Sequence, residues 1–144
     1  MASTVQEILA RKGTDVVTIG PEADVGTAAA RMNQLGIGGL VVVEGDEVLG
    51  LFTERDIMTK VVSACSDPCT VKVGEMMSRP VVCCKPDTPL EYCKMVMTDK
   101  RIRHMPVVQD EKLCGIVTSG DLLADEVQDR QETIELLYQY IQSW

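Results

Sequence analysis

Two stretches carry residue types whose spacing could do chemistry: Gly50-Leu51-Phe52-Thr53-Glu54-Arg55-Asp56 and Gly115-Ile116-Val117-Thr118-Ser119-Gly120-Asp121. In each, an apolar run ends in Thr, and Asp follows three residues later. If a strand ends there and a helix begins, free backbone N–H groups and the helix dipole favour an anion such as phosphate. The Thr hydroxyl can bond a phosphate oxygen. A carboxylate has two acceptor oxygens and can take both hydrogens of a ribose diol. The same spacing also suits plain helix capping, worth about 1 kcal/mol. On the residues alone both uses stand open.

The elements that must position these residues occur twice. Slid over itself by 65 residues, the chain aligns without a gap: Val16-Val17 on Val81-Val82, Pro21 on Pro86, Met32 on Met97, Val42-Val43 on Val107-Val108, Asp56 on Asp121. Each copy is too small to bury a good core alone, so two halves packed about a pseudo-twofold axis are expected. Each reads as strand, helix, strand, strand, helix. In the first copy, Val16 to Ile19 is a β-branched run. Asp24 is a candidate N-cap for a helix with Val25, Ala28, Ala29, Met32 and Leu35 on one face, stopped by Gly36. Leu40 to Val43 and Val48 to Phe52 form a hairpin, and a helix from about Glu54 to Val62 follows. In the second, Thr88-Pro89-Leu90-Glu91 predicts a capping box with Pro at the first helical position. Met105 to Val108 and Leu113 to Val117 form the hairpin, and a last helix runs from near Gly120 almost to Trp144. A linker, Ser63 to Thr70, leads to a short helix at about Val73 to Met77. A matching helix precedes the first copy, where Ser3-x-x-Gln6 and Thr4-x-x-Glu7 both have capping-box spacing. The expected segments are 1–15 (lead-in), 16–62 (repeat 1), 63–80 (linker and short helix), 81–124 (repeat 2) and 125–144 (end helix).

The duplicated Gly-h-h-Thr-x-x-Asp endings (h, apolar) resemble those of a tandem pair of cystathionine-β-synthase (CBS) domains, often called a Bateman module. The resemblance covers about Val16 to Ala124. It includes Leu35-Gly36-Ile37-Gly38-Gly39-Leu40-Val41-Val42, Phe52-Thr53-Glu54-Arg55-Asp56, Arg101-Ile102-Arg103-His104-Met105-Pro106-Val107-Val108 and the closing Leu137-Tyr138-Gln139-Tyr140-Ile141, in order. It implies an α+β fold of two βαββα repeats about a pseudo-twofold axis, flanked by an N-terminal and a long C-terminal helix. It also implies a non-catalytic module that holds adenine-bearing ligands (AMP, ADP, ATP, NAD(H) or S-adenosyl compounds) between the repeats. Carried over by residue, Asp56 and Asp121 would bind ribose hydroxyls, and Thr53 and Thr118 phosphate or ribose. Val17 and Thr18 with Gly38, Gly39, Leu40 and Val41 would line one cleft. Val82 and Cys83 with Arg103, His104, Met105 and Pro106 would line the other.

Phosphate needs cations. Arg55 lies inside the first motif, Arg79 just before the second copy, and Arg101, Arg103 and His104 before its hairpin. Such a local cluster supplies attraction that the whole chain, at net charge −8, does not. Ser119 stands where relatives often carry a larger apolar residue, and the first copy has Gly38-Gly39 where the second has Arg103-His104. The two clefts therefore differ in charge and size.

Composition narrows the alternatives. Negative net charge and 3% aromatic residues argue against nucleic acid, which wants cations and stacking platforms. No apolar run approaches the ~18–20 residues of a membrane span. Residues 1–11 show no signal-peptide core, so the cytosol is expected, with the six cysteines mostly reduced. The cysteine spacings lack C-x2-C and there is one His, so no structural zinc is expected. Cys93 and Cys114 read as small buried apolars, whereas Cys65 and Cys69 flank the linker as candidate exposed thiols. No nucleophile–base set or Walker loop is present. In the end helix Val127, Ile134 and Ile141 recur seven apart, as do Leu137 and Trp144, a stripe for its own module or a partner helix. The reading is a homodimeric adenine-nucleotide sensor, with AMP the first ligand to test and ATP or NAD next. It would act on an unknown regulated protein and need no catalytic cofactor or metal. A redox-linked interaction protein and a scaffold with empty clefts are the alternatives.

Overall fold

The computed structural model describes residues 2–142. The first copy comprises β1 (Thr18–Ile19), α2 (Val25–Leu35), β2 (Gly39–Glu44), β3 (Glu47–Thr53) and α3 (Glu54–Asp56), and is preceded in sequence by α1 (Val5–Lys12). α3 continues with π-helical winding over Ile57–Val62. After the linker come α4 (Val73–Met76), α5 (Leu90–Lys100), β4 (His104–Gln109), β5 (Lys112–Thr118) and the long α6 (Ser119–Gln142). β1 runs parallel to β2, and β2 pairs antiparallel with β3. β4 and β5 repeat the hairpin, with the register shift at the equivalent place, Val42/Val43 and Val107/Val108. The α+β repeat is thus as expected. The first strand of the second copy shrinks to one parallel bridge, Cys84 to Val107.

Helix ends follow local chemistry in part. Asp24 caps α2, accepting from the Thr27 amide at 3.0 Å, and Gly36 closes it at φ +65°. At the equivalent end of α5, Arg101 holds the left-handed conformation at φ +54°. The capping box expected at Thr88 does not form. Pro89 is itself the N-cap, and Thr88 Oγ1 accepts from the Lys85 amide instead. Nor does Thr4 cap α1; Glu7 reaches back to the amide and hydroxyl of Ser3.

The backbone explains these lost caps, because the two lead-in segments are exchanged. α1 packs against the second copy and α4 against the first. The Leu90 amide donates to Ser3 O, and the Val5 and Gln6 amides donate to Thr88 O and Pro86 O. At equivalent places the Val25 amide donates to Val71 O, and those of Val73 and Gly74 to Ala23 O and Pro21 O. Backbone from another segment satisfies the helix-start amides that a side chain would otherwise cap. The cores follow the same exchange. Val5, Ile8 and Leu9 join Leu90, Cys93, Met97, Met105, Val107 and Val117, while Val73 and Met77 join Val25, Ala28, Met32, Leu40 and Phe52. Cys93 is buried, as expected of a small apolar, and Cys114 is half-buried.

Leu122 and Asp125 are the last buried residues of α6, and 131–142 are exposed throughout. Val127, Ile134, Leu137 and Ile141 are therefore exposed, uncovered by the other described residues. Trp144 lies outside the described residues. Among the described residues no helix is long and apolar enough to cross a membrane.

Candidate ligand-binding cleft

Both Thr-x-x-Asp motifs fold into reciprocal caps where a strand turns into a helix. Asp56 Oδ2 accepts from the Thr53 amide at 2.9 Å, and the Asp56 amide donates to Thr53 Oγ1 at 3.4 Å. Asp121 Oδ2 and Thr118 Oγ1 repeat this at 2.9 and 3.2 Å. The leading glycine of each motif has a steric reason. A Cβ on Gly50 would lie 2.5 Å from Met77 Sδ, and one on Gly115 2.8 Å from Leu9 Cδ2. The exchanged lead-in segments close down on these positions.

The same segments supply each Asp with a further partner. Ser78, just after α4, donates its hydroxyl to Asp56 Oδ1 at 2.7 Å, and Lys60 Nζ lies 3.1 Å from the same oxygen. Lys12, at the end of α1, donates to Asp121 Oδ2 at 2.7 Å and to Ile116 O at 2.9 Å. Asp56 is 4% exposed with both oxygens engaged, so a ribose at Asp56 must displace Ser78 or Lys60.

A cleft of about 1150 Å³ opens beside the first motif and is walled by both copies. Gly38, Leu51, Thr53, Arg55, Asp56 and Ser78 form one side; Lys100, Arg101, Arg103 and His104 form the other. Five permanent cations, Arg55, Lys60, Lys100, Arg101 and Arg103, face two carboxylates, Glu54 and Asp56. A net-positive concavity of this kind concentrates anions even on a negatively charged chain. Burial holds the His104 imidazole below its ordinary pKa, helped by Arg103 and Lys12 and opposed by Glu54 and Asp121. Its ring lies over the backbone of Gly39, where a Cβ would come within 3.1 Å of Nε2.

The cleft therefore unites residues that the sequence reading assigned to two sites. Gly38, Thr53, Arg55 and Asp56 of the first set meet Arg103 and His104 of the second. Leu40 and Met105, expected as pocket walls, are fully buried in their own copies' cores, because alternation along β2 and β4 turns them inward. Val41 and Pro106 are buried at equivalent positions next along each strand. Val17 and Val82 pack on their cores, and Thr18 lies in β1, its carbonyl accepting from Arg31 at 2.6 Å. Cys83 and Arg79 are exposed away from this cleft. Thr118, Ser119 and Asp121 stand at the other motif. Lys60, Lys100, Ser78 and Lys12 were not foreseen. A comparison of charge across the 65-residue register points to two of them, since Lys60 falls on Asp125 and Lys100 on Leu35.

The βαββα unit thus occurs twice, and the first motif faces a cleft walled by both copies. The CBS-domain family model matches residues 5–63 and again 73–126. This chain belongs to the CBS-domain family. The CBS pair is 30% identical, over 98% of this chain and 73% of the relative, to the mitochondrial CBS domain-containing protein CBSX3 of Arabidopsis thaliana. It is 41% identical to a protein of Methanopyrus kandleri over 78% of this chain, and spans 58% of that relative's length. Among solved structures, a protein with CBS domains from Burkholderia ambifaria matches it with a TM-score of 0.85 at 35% identity. That match covers 88% of this chain and 96% of the other.

Proposed function

We propose that this CBS pair is a regulatory module that binds an adenine nucleotide in the cleft beside Asp56 and signals by a shift in the relative placement of its two copies. The observation that carries this reading is the cation set. Five guanidinium and ammonium groups converge on one cleft walled by both copies, which suits the phosphates of AMP, ADP or ATP. Adenine would lie toward the apolar wall, Leu51, Met58 and Ile102, since aromatic platforms are absent from the lining. A ligand touching both copies binds one relative orientation better than another and shifts the population toward it; equal affinity would shift nothing. Binding and signalling need no catalytic cofactor. The uncovered apolar face of α6 is the surface offered to a second copy or to the regulated protein.

A thermal-shift screen against AMP, ADP, ATP, NAD and S-adenosylmethionine tests it. At a ligand concentration 100 times Kd the stabilisation should be about 2.7 kcal/mol. A screen in which no adenine ligand raises the melting temperature sinks the proposal.

A further inference from the structure

One face of α6 is apolar and turned outward. Leu123, Val127, Ile134, Leu137 and Ile141 are 44–65% exposed. With Arg130 they fall within about 80° of arc and run for about 27 Å along the helix. Leu122 and Asp125, which α6 buries against its own module, lie about 130° round the helix from that stripe. The stripe thus points away from the module even at the turn where α6 is docked on it.

The pattern of the stripe is its own complement. Its members are spaced 4, 3, 4, 3, 4, which reads the same in both directions. An identical helix laid antiparallel, centred on Glu132, therefore meets it layer for layer. Leu123 comes level with Ile141 of the second copy, Val127 with Leu137, and Arg130 with Ile134. A parallel pair would set Arg130 against Arg130, two like charges in an apolar seam. The antiparallel pair sets each arginine stem on an isoleucine and lets the guanidinium reach water. The positions flanking the seam fit identical helices too. They are Ala124, Gln131 and Tyr138 on one side and Glu126, Thr133 and Tyr140 on the other. The one charge among them, Glu126, is taken by Lys94 of α5 at 3.0 Å. Coiled-coil flanks select unlike partners by charge, and these flanks offer none for such a selection. Two stripes closed on each other would remove roughly 1,200 Å² from water, the lower end of stable specific interfaces.

We propose that the occupant of the α6 stripe is a second copy of this chain, its α6 laid antiparallel and centred on residue 132. The pairing stands on α6 alone and does not depend on what the cleft beside Asp56 binds.

Sedimentation of the full chain without nucleotide, at high micromolar concentration, tests this. Ile134→Asp with Leu137→Asp should halve the mass seen for wild type, and Ile134→Asp alone should weaken association at least tenfold. Leu136→Asp is the control. Leu136 is 66% exposed on the same helix but lies about 140° from the stripe, so the mass should stay as in wild type. Orientation is read from disulfide cross-links mapped by peptide mass. Thr133→Cys should link to itself across the antiparallel pair. Leu137→Cys should not, because residue 137 sits level with 127. A monomeric wild type, a double variant of unchanged mass, or equal dissociation by Leu136→Asp overturns the inference. So does a Leu137→Cys cross-link without the Thr133→Cys one, or a monomer whose stripe is filled by an unlike protein.

Discussion

The two copies share a backbone plan and differ in charge. Both carry the hairpin bulge, the reciprocal Thr–Asp cap and an exchanged lead-in segment docked on the motif glycine. Yet the helix end and strand entry that read Gly36, Gly38 and Gly39 in the first copy read Arg101, Arg103 and His104 in the second. The side chains of the second copy serve the cleft beside the first motif, because that cleft lies between the copies. Duplication keeps what the fold needs in both halves and leaves the facing positions free to specialise. The conformation of Arg101 reveals the cost, a left-handed backbone at φ +54° where its counterpart is glycine.

The sharpest way to break this picture is through the cores. Phe52 and Val117 are equivalent and fully buried. Phe52→Ala should cost about 4 kcal/mol in urea unfolding, through lost transfer energy and the cavity left behind. Val117→Ala should cost about 2 kcal/mol. Because each lead-in segment sits in the other copy's core, both variants should still unfold in one transition. Two separated transitions would show that the exchange does not bind the copies into one cooperative unit.

The cleft itself can be made to resemble its counterpart. Arg101→Gly with Arg103→Gly installs the first copy's residues and removes two charge-assisted contacts to phosphate. At about 1.5 kcal/mol each, ATP affinity should fall at least about 100-fold. Unchanged affinity would place the ligand elsewhere. Arg101→Gly alone should weaken ATP about tenfold and raise the stability of the free protein by up to about 1 kcal/mol, since glycine carries no Cβ penalty in that conformation. Such opposed signs are expected where strain is kept for a ligand. A loss of both stability and affinity would show Arg101 to be structural.

The repeat, the hairpins and the Asp24 cap were legible because they are local. Hydrophobic spacing and a capping carboxylate act within a few residues of themselves. The exchange of α1 and α4 was not, because a short amphipathic helix looks the same whichever copy it docks on. Thr88 and Thr4 carry the right spacing for caps. Their helix-start amides go to backbone carbonyls brought from another segment, which no local pattern records. The cleft was half legible: Thr53, Arg55, Asp56, Arg103 and His104 were named, but grouping them by copy missed that residues of both sets line one cleft. Lys12 was invisible because its partner, Asp121, lies far along the chain and is reached only through the exchange.

The smallest expected effect is a slope, at the one histidine. His104 faces Gly39, its own counterpart across the pseudo-twofold axis, and burial keeps its folded pKa below the ordinary 6.5. Unfolded chain therefore binds a proton before folded chain does. The stability contributed by the neutral buried imidazole is complete above about pH 6.5 and is lost as pH falls through the lower, folded value. Urea unfolding at pH 7 and pH 5 should show wild type losing more stability than His104→Gln, the other titrating groups cancelling in the difference. Equal losses would mean that the ring is solvated and the two copies do not close over it. The comparison sharpens with ligand present. Phosphate in the cleft adds negative charge beside the imidazole and raises its pKa, so at saturating ATP the acid-side loss attributable to His104 should shrink. Adenosine, which brings no charge, should leave it as it is.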